Sequence, residues 1–420
     1  MPVGAERFRL GVNYWPSETA MGWLRAYDGA VVRRDLSCMA AAGLDTVRIF
    51  VRWEDAQPAP DVLDHATLAA LVDTADAAAG AGVELVVTLF TGHMSGVNWV
   101  PAWATGGSQG DPRFRVVSGG AVQPGAPALR NWYSDPEIVD AQARLAAGVS
   151  GALAGHPAVW AWDLGNENSN CTVPPSRDRA ERWLERMTSI IRSTDPGRPV
   201  TVGTHMEDLE EDRVIGPAEA ARWCDFVCMH GYPAYTGWAA GPSDPLLVPF
   251  LAEVTAWLAG GAPVLFEELG QSTAPAGQLP VGMQVSEAEA ADYTARTLGA
   301  LRSTGAIGAL LWCFADYSAE RYGEPPFDMA VHERTFGLWR SDRTPKPAVA
   351  ALASGRDNDR SNDCSNDRSN DRSSTCRLPA TIGSWVDITP EELAADRRGQ
   401  LARLYRRYRQ QAAAGEHAHG

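Results

Sequence analysis

Residues 158–193 read AVWAWDLGNENSNCTVPPSRDRAERWLERMTSIIRS. Ala158–Leu164 is an apolar run of strand length, Arg177–Ser193 carries apolar residues at helical spacing, and a polar turn joins the two. The same strand-then-helix pairing recurs on both sides of this stretch. Strands are predicted at Phe8–Asn13, Asp45–Val51, Val83–Phe90, Ala158–Leu164, Pro199–Thr204, Asp225–His230, Ala262–Glu267 and Ile307–Phe314. Helices are predicted between them, among them Gly29–Ala42, Ala66–Ala81, Pro136–Ala154, Arg177–Ser193, Pro245–Ala259 and Glu287–Ser303. Eight strands alternating with helices predict an α/β chain closed into a (β/α)8 TIM barrel, with its chemistry at the C-terminal ends of the strands. Thr91–Asp135 is too long for a simple connection and predicts a long loop after the third strand; it holds Trp99, Trp103 and Trp132, and a long aromatic loop of this kind is expected to shape a site.

The chain has 420 residues, 45% of them hydrophobic and 21% charged, which places it among globular proteins able to bury a large core. Its net charge of −15 argues against nucleic acid or an anionic membrane surface as the main partner. The seven cysteines are scattered and contain no C-x-x-C pair, so neither a disulfide framework nor a zinc site is signalled. Met1–Leu10 lacks the apolar core of a signal peptide and no stretch is apolar enough to span a bilayer, so the expected location is the cytoplasm.

The barrel is expected to occupy residues 1–355, ending in a helix at Lys346–Ser354. Residues 356–376 carry a Ser-Asn-Asp-Arg repeat, one unit of which ends in Cys364, with no core-forming run between Asp357 and Arg372, and are expected to form a disordered insertion. In residues 377–420, Thr389-Pro390-Glu391-Glu392 reads as a helix start, and Leu401, Leu404, Tyr405 and Tyr408 form one apolar stripe expected to dock on the barrel.

Two carboxylates stand at matching levels of the barrel mouth. Asn166-Glu167 follows the fourth strand, and Glu267-Glu268-Leu269-Gly270 ends the seventh. A pair of this kind suits glycoside hydrolysis, in which one group protonates the leaving oxygen and the other attacks the anomeric carbon or activates water. Strand alternation is expected to send Glu267 and Glu268 to opposite faces, so that only one is catalytic.

With these residues in place, the sequence resembles the clan A retaining glycosidases, and glycoside hydrolase family 5 in particular, from about Phe8 to Ser354. The resemblance implies Glu167 as acid/base, kept protonated by its surroundings, and Glu268 as nucleophile, although Leu269 replaces the usual aromatic. It further implies Arg48 beside the nucleophile, Tyr232 of His230-Gly231-Tyr232 donating to it, and substrate contacts from His93, Asn166, His230 and Trp312, the last as a sugar platform. Singly, each of these residues has a structural reading, such as a buried ion pair or a core aromatic. Their order on successive strands has none.

The expected function is a retaining O-glycosidase for β-linked oligosaccharides or glycans, needing no cofactor or metal. Exo action of β-mannosidase or β-glucosidase type is favoured, since the expected cytoplasmic location suits short imported chains. Endo-acting mannanase or cellulase is the alternative within the class. A metal-dependent sugar-converting barrel and a carbohydrate-binding pseudoenzyme are the alternatives outside it.

Overall fold

The computed structural model describes residues 7–109, 113–357, 378 and 382–417. The repeat beyond Asp357 lies outside them. Eight parallel strands, β1 (Arg9–Asn13), β2 (Thr46–Arg52), β3 (Glu84–Thr91), β4 (Val159–Asn166), β5 (Val200–Gly203), β6 (Val227–His230), β7 (Val264–Leu269) and β8 (Gly308–Leu311), hydrogen-bond in the order β5-β4-β3-β2-β1-β8-β7-β6. A parallel bridge between His205 and His230, with Asp225 N donating to Val200 O at 2.8 Å, joins the two ends and closes the barrel. The strands were legible because both faces of each are covered, so they read as apolar runs rather than as an alternation.

Helices α1 (Gly29–Ala41), α2 (His65–Ala81), α3 (Pro136–Ala152), α4 (Arg177–Thr194), α5 (Pro217–Trp223), α6 (Leu247–Leu258), α7 (Glu287–Arg302) and α8 (Pro347–Asp357) follow the strands in turn. Local chemistry sets where several begin. Asp135 accepts from Glu137 N and Ile138 N ahead of a proline at the first helical turn of α3, and Ser176 accepts from Arg179 N at the start of α4. The main apolar core lies between strands and helices, while Val86, Trp160, Ala161, Phe226, Cys228, Leu265, Ile307 and Leu310 form a second cluster.

Within the barrel, Arg48 of β2, Thr88 of β3, Asp163 of β4, and His230 and Glu267 of β6 and β7 meet as a buried polar layer beneath the mouth. Gly203 of β5 makes that layer possible. A Cβ there would stand 2.5 Å from Gly165 O, 3.0 Å from Arg48 Nη2 and 3.2 Å from Glu267 Oε2.

The excursion after β3 contains a four-stranded sheet of short strands, His93–Met94, Val97–Trp99, Arg115–Ser118 and Ala121–Val122. The excursion shapes the site, as the sequence reading expected, through His93, Ser95, Arg113, Phe114 and Arg115, while its tryptophans serve elsewhere. Trp103 and Trp132 pack edge-on against Trp53 at 5.2 and 4.9 Å, anchoring the excursion to the barrel wall.

The C-terminal segment forms α9 (Pro390–Ala395) and α10 (Arg397–His417) rather than one helix, with the chain turning at Asp396. Tyr405 and Tyr408 of α10 pack on Phe250 of α6 at 4.9 and 5.4 Å, and Tyr405 OH donates to Asp244 at 2.5 Å. Arg398 reaches Glu210 at 2.8 Å, beside the barrel mouth.

Candidate active site

A cavity of about 620 Å³ opens at the C-terminal end of the strands. Its lining brings together Glu167, Glu268, His93, Asn166, His230, Tyr232 and Trp312; Arg48 stands just below the cavity floor and reaches Glu268. The strand-end residues named from the sequence therefore converge on one place.

Glu268 owes its position to an irregularity in β7. Its register against β8 shifts between Phe266 and Leu269, and β6 pairs with it through a shift between Met229 and His230. Glu267 accordingly points into the buried layer and Glu268 into the cavity, but the two are not on opposite faces as simple alternation would require. Both approach Arg48, at 3.3 Å from Nε for Glu267 and 2.8 Å from Nη1 for Glu268, and both approach His230. The second oxygen of Glu268 accepts from the Tyr232 hydroxyl at 2.8 Å. A cation and a phenol thus hold its two oxygens.

Glu167 follows β4 with φ of 48°, in the left-handed region that a non-glycine residue adopts at a cost of about 1–3 kcal/mol. Gly165 two residues earlier has φ of 140°, and a Cβ there would collide with the Asn168 side chain. The strained turn presents the Glu167 carboxylate to three histidines: His230 Nδ1 at 3.0 Å, His205 Nδ1 at 3.8 Å and His93 Nε2 at 3.9 Å. Asn170 Nδ2 donates to it at 3.1 Å.

This corrects the expectation that the surroundings keep Glu167 protonated. Burial favours the neutral carboxyl, but His205 and the hydrogen-bonded His230 outweigh it and draw Glu167 well below the usual carboxylate range. The proton resides next door. Burial opposes a charged His230, yet Glu268, Glu167 and Glu267 around it raise the imidazole to about 10. Below that pH it is an imidazolium whose Nδ1 faces Glu167 and whose Nε2 faces Glu267 at 3.2 Å. Asp163, buried beside Glu267, is raised to about 7 while pairing with Arg48 at 2.7 Å.

His93 bonds Asn98 through Nδ1 at 2.7 Å and is kept neutral by burial. Asn166 Nδ2 donates to His93 O at 2.9 Å, leaving its Oδ1 without a partner among the described residues. Trp312 forms part of the cavity wall, edge-on to Phe50 at 6.2 Å.

Sequence reading missed the residues that close the cavity. Arg115 of the excursion pairs with Asp328 of the loop after β8 at 2.7 and 2.8 Å, and Arg113 pairs with Glu207 of the loop after β5 at 3.2 Å. Glu333, after β8, accepts from Ser95 and Tyr235. Nothing in the periodicity of these loops marks them.

Glu167, His230 and Glu268 each offer a ligand atom, all within 4.8 Å of one another. Both nitrogens of His230 and both oxygens of Glu268 are already engaged, and Arg48 and the imidazolium supply positive charge where a metal ion would sit. The donor set suits a neutral polyol better than a cation.

Two carboxylates opposed across a barrel mouth, one held by an arginine and a tyrosine, define the class as a barrel glycosidase. The model of the cellulase family, glycosyl hydrolase family 5, matches residues 11–318, and the chain belongs to that family. Mannan endo-1,4-beta-mannosidase 2 of Oryza sativa subsp. japonica is 28% identical over 226 residues, 48% of this chain and 49% of that protein. Among solved structures, exo-beta-1,4-mannosidase Op5Man5 from Opitutaceae bacterium strain TAV5 aligns with a TM-score of 0.69 at 26% identity, covering 85% of this chain and 62% of its own. A GH5_18 variant from Streptomyces cattleya in complex with Manβ1-4GlcNAc aligns with a TM-score of 0.70 at 26% identity, covering 84% and 81%. The chain spans about half the length of the rice protein and 62% of the Op5Man5 chain. No helix among the described residues is long and apolar enough to cross a membrane.

Proposed function

We propose that the protein is a retaining exo-β-mannosidase that removes terminal mannose from short β-linked oligosaccharides by double displacement. The observation that carries this reading is the approach of Glu167 and Glu268, with an oxygen of each within 4.8 Å, inside a cavity closed by cross-loop ties. Retaining pairs stand about 5–5.5 Å apart, whereas inverting pairs leave about 6.5–9.5 Å for a water.

Glu268, held by Arg48 and Tyr232, attacks the anomeric carbon. The bond to the leaving oxygen breaks as Glu167 delivers a proton to it, and His230 Nδ1 is the donor from which Glu167 takes that proton. A glycosyl ester on Glu268 results. Water then attacks the anomeric carbon, Glu167 takes the water's proton and returns it to His230 Nδ1, and Glu268 leaves as the carboxylate. The unpartnered Oδ1 of Asn166 and the face of Trp312 supply contacts for sugar hydroxyls and C–H groups.

Similarity to an exo-mannosidase and to an enzyme holding Manβ1-4GlcNAc favours mannose over glucose and a disaccharide of this kind as substrate. The rice relative favours endo-mannanase action as the second reading. Nitrophenyl β-mannoside, β-glucoside and β-galactoside, Manβ1-4GlcNAc and mannohexaose together test both. Release of mannose alone, first seen as the β-anomer by proton NMR, is expected; mixed oligosaccharides from mannohexaose would favour the endo reading, and first-formed α-mannose would remove the nucleophile role of Glu268. Turnover that disappears with a chelator would move the protein to the metal-dependent class.

A further inference from the structure

One carboxylate of the cavity takes no part in the displacement just described. Glu333 lies in the 3₁₀ turn Val331–Thr335 after β8, is only 7% exposed, and lines the cavity with Glu268, Tyr235 and Trp312. Ser95 Oγ donates to its Oε2 at 2.9 Å and the Tyr235 hydroxyl to its Oε1 at 3.1 Å, and the Trp312 indole bonds to it as well. Ser95 belongs to the excursion after β3 and Tyr235 to the turn Pro233–Tyr235 after β6. Three loops therefore meet at this carboxylate, at the edge of the tryptophan on which a sugar would rest.

A buried carboxylate is costly unless a cation stands beside it. Several others here have one: Arg48 serves Asp163, Glu267 and Glu268, Lys346 serves Asp316, and Arg343 serves Asp35. Among the described residues, no arginine or lysine lies within 4 Å of Glu333, whose one basic neighbour is His332 at 3.5 Å. Burial is the main influence on its carboxyl and pushes it up. Tying Ser95 to Tyr235 does not require a charge, since a neutral amide oxygen accepts hydrogen bonds too. A carboxylate has about four acceptor positions, and Ser95, Tyr235 and Trp312 fill three.

We infer that Glu333 is a specificity-determining residue, accepting a hydrogen bond from one hydroxyl of the terminal sugar held against Trp312. The inference rests on the glycosidase reading, because the nucleophile and the tryptophan fix which part of the cavity the terminal sugar fills. An acceptor in a desolvated wall rejects a sugar lacking that hydroxyl, since its remaining hydrogen-bond position would go unfilled. A glycosylated oxygen at that position has no proton to donate, so an internal chain residue linked through it is refused as well.

The test compares kcat/KM of the wild type, Glu333→Gln, Ser95→Ala and Tyr235→Phe on nitrophenyl β-mannoside and its 2-, 3-, 4- and 6-monodeoxy analogues. Glu333→Gln is expected to lose about tenfold to a hundredfold on the parent glycoside. On one analogue the wild type and Glu333→Gln should agree within about twofold, because the partner hydroxyl is gone. Ser95→Ala and Tyr235→Phe should keep the wild-type ranking of the analogues. An equal loss by Glu333→Gln on the parent and every analogue would reduce the residue to a loop tie, and an unchanged kcat/KM would remove any role. Should the wild type cleave no glycoside, the glycosidase reading fails separately. Tryptophan fluorescence titration with methyl β-mannoside then decides: binding at least about tenfold weaker in Glu333→Gln supports the inference, and equal binding overturns it.

Discussion

The two oxygens of Glu268 are taken by Arg48 and Tyr232, whereas Glu267 is locked between Arg48 and His230 out of reach of the cavity. Adjacent carboxylates with different partners should fail differently when removed. Glu268→Ala is expected to lower kcat by at least about 10³-fold on every substrate, with azide restoring part of the turnover of an activated glycoside. Glu167→Ala should spare the first step for dinitrophenyl glycosides, whose leaving group needs no proton, and burst kinetics would show it. Glu267→Ala removes one of three carboxylates from a buried arginine and should cost about 3–5 kcal/mol in urea unfolding. A dead Glu267→Ala beside an active Glu268→Ala would exchange the two roles.

At the scale of elements, the excursion after β3 is clamped over the mouth by Arg115–Asp328 on one side and Arg113–Glu207 on the other. Such partly exposed pairs contribute about 0–1 kcal/mol each to stability. Arg115→Ala should therefore leave the thermal midpoint nearly unmoved while raising KM for a disaccharide by about threefold or more, because the loop no longer holds its place over the cavity. A KM unchanged within error would show that the clamp does not act on substrate. These ties also mark where the sequence stops being readable. The barrel strands and the residues at their ends were legible because long apolar runs fix the strands, and strand ends fix the level of Glu167, Glu268, His230 and Trp312. The excursion's strands are two to four residues long, too short for a period. The partners of Glu333, and the histidines that invert the expected state of Glu167, come from different loops and strands, so no local pattern joins them.

Over the whole molecule, the C-terminal segment is part of the barrel's outer layer. Trp385 is fully buried against Phe250 at 5.2 Å and Tyr408 at 5.1 Å, with its indole donating to Glu253. Trp385→Ala should cost about 3–5 kcal/mol by urea unfolding. Deleting Asp357 to Arg372, the repeat without core-forming residues, should instead leave unfolding and activity nearly unaltered; loss of soluble protein would give that segment a structural part. Stability should also depend on pH through the polar layer. His230, raised from 6.5 to about 10 by its carboxylate neighbours, contributes fully below about pH 6.5, and that contribution is lost as pH rises through about 10. Asp163, raised from 3.8 to about 7, acts in the same direction over a lower range. The thermal midpoint should fall from pH 6.5 to pH 10, and fall less in His230→Asn.

The Lys346–Asp316 pair carries a consequence of another kind. Lys346 is the only lysine in the sequence, and its ammonium is enclosed by Asp316, Thr273 Oγ1 and Thr335 O at 2.7, 2.8 and 3.0 Å. A hydrolase of oligosaccharides generates reducing sugars, whose open-chain aldehydes condense with free amines. With Lys346 enclosed in this way, the described surface offers glycation by such a sugar no lysine side chain.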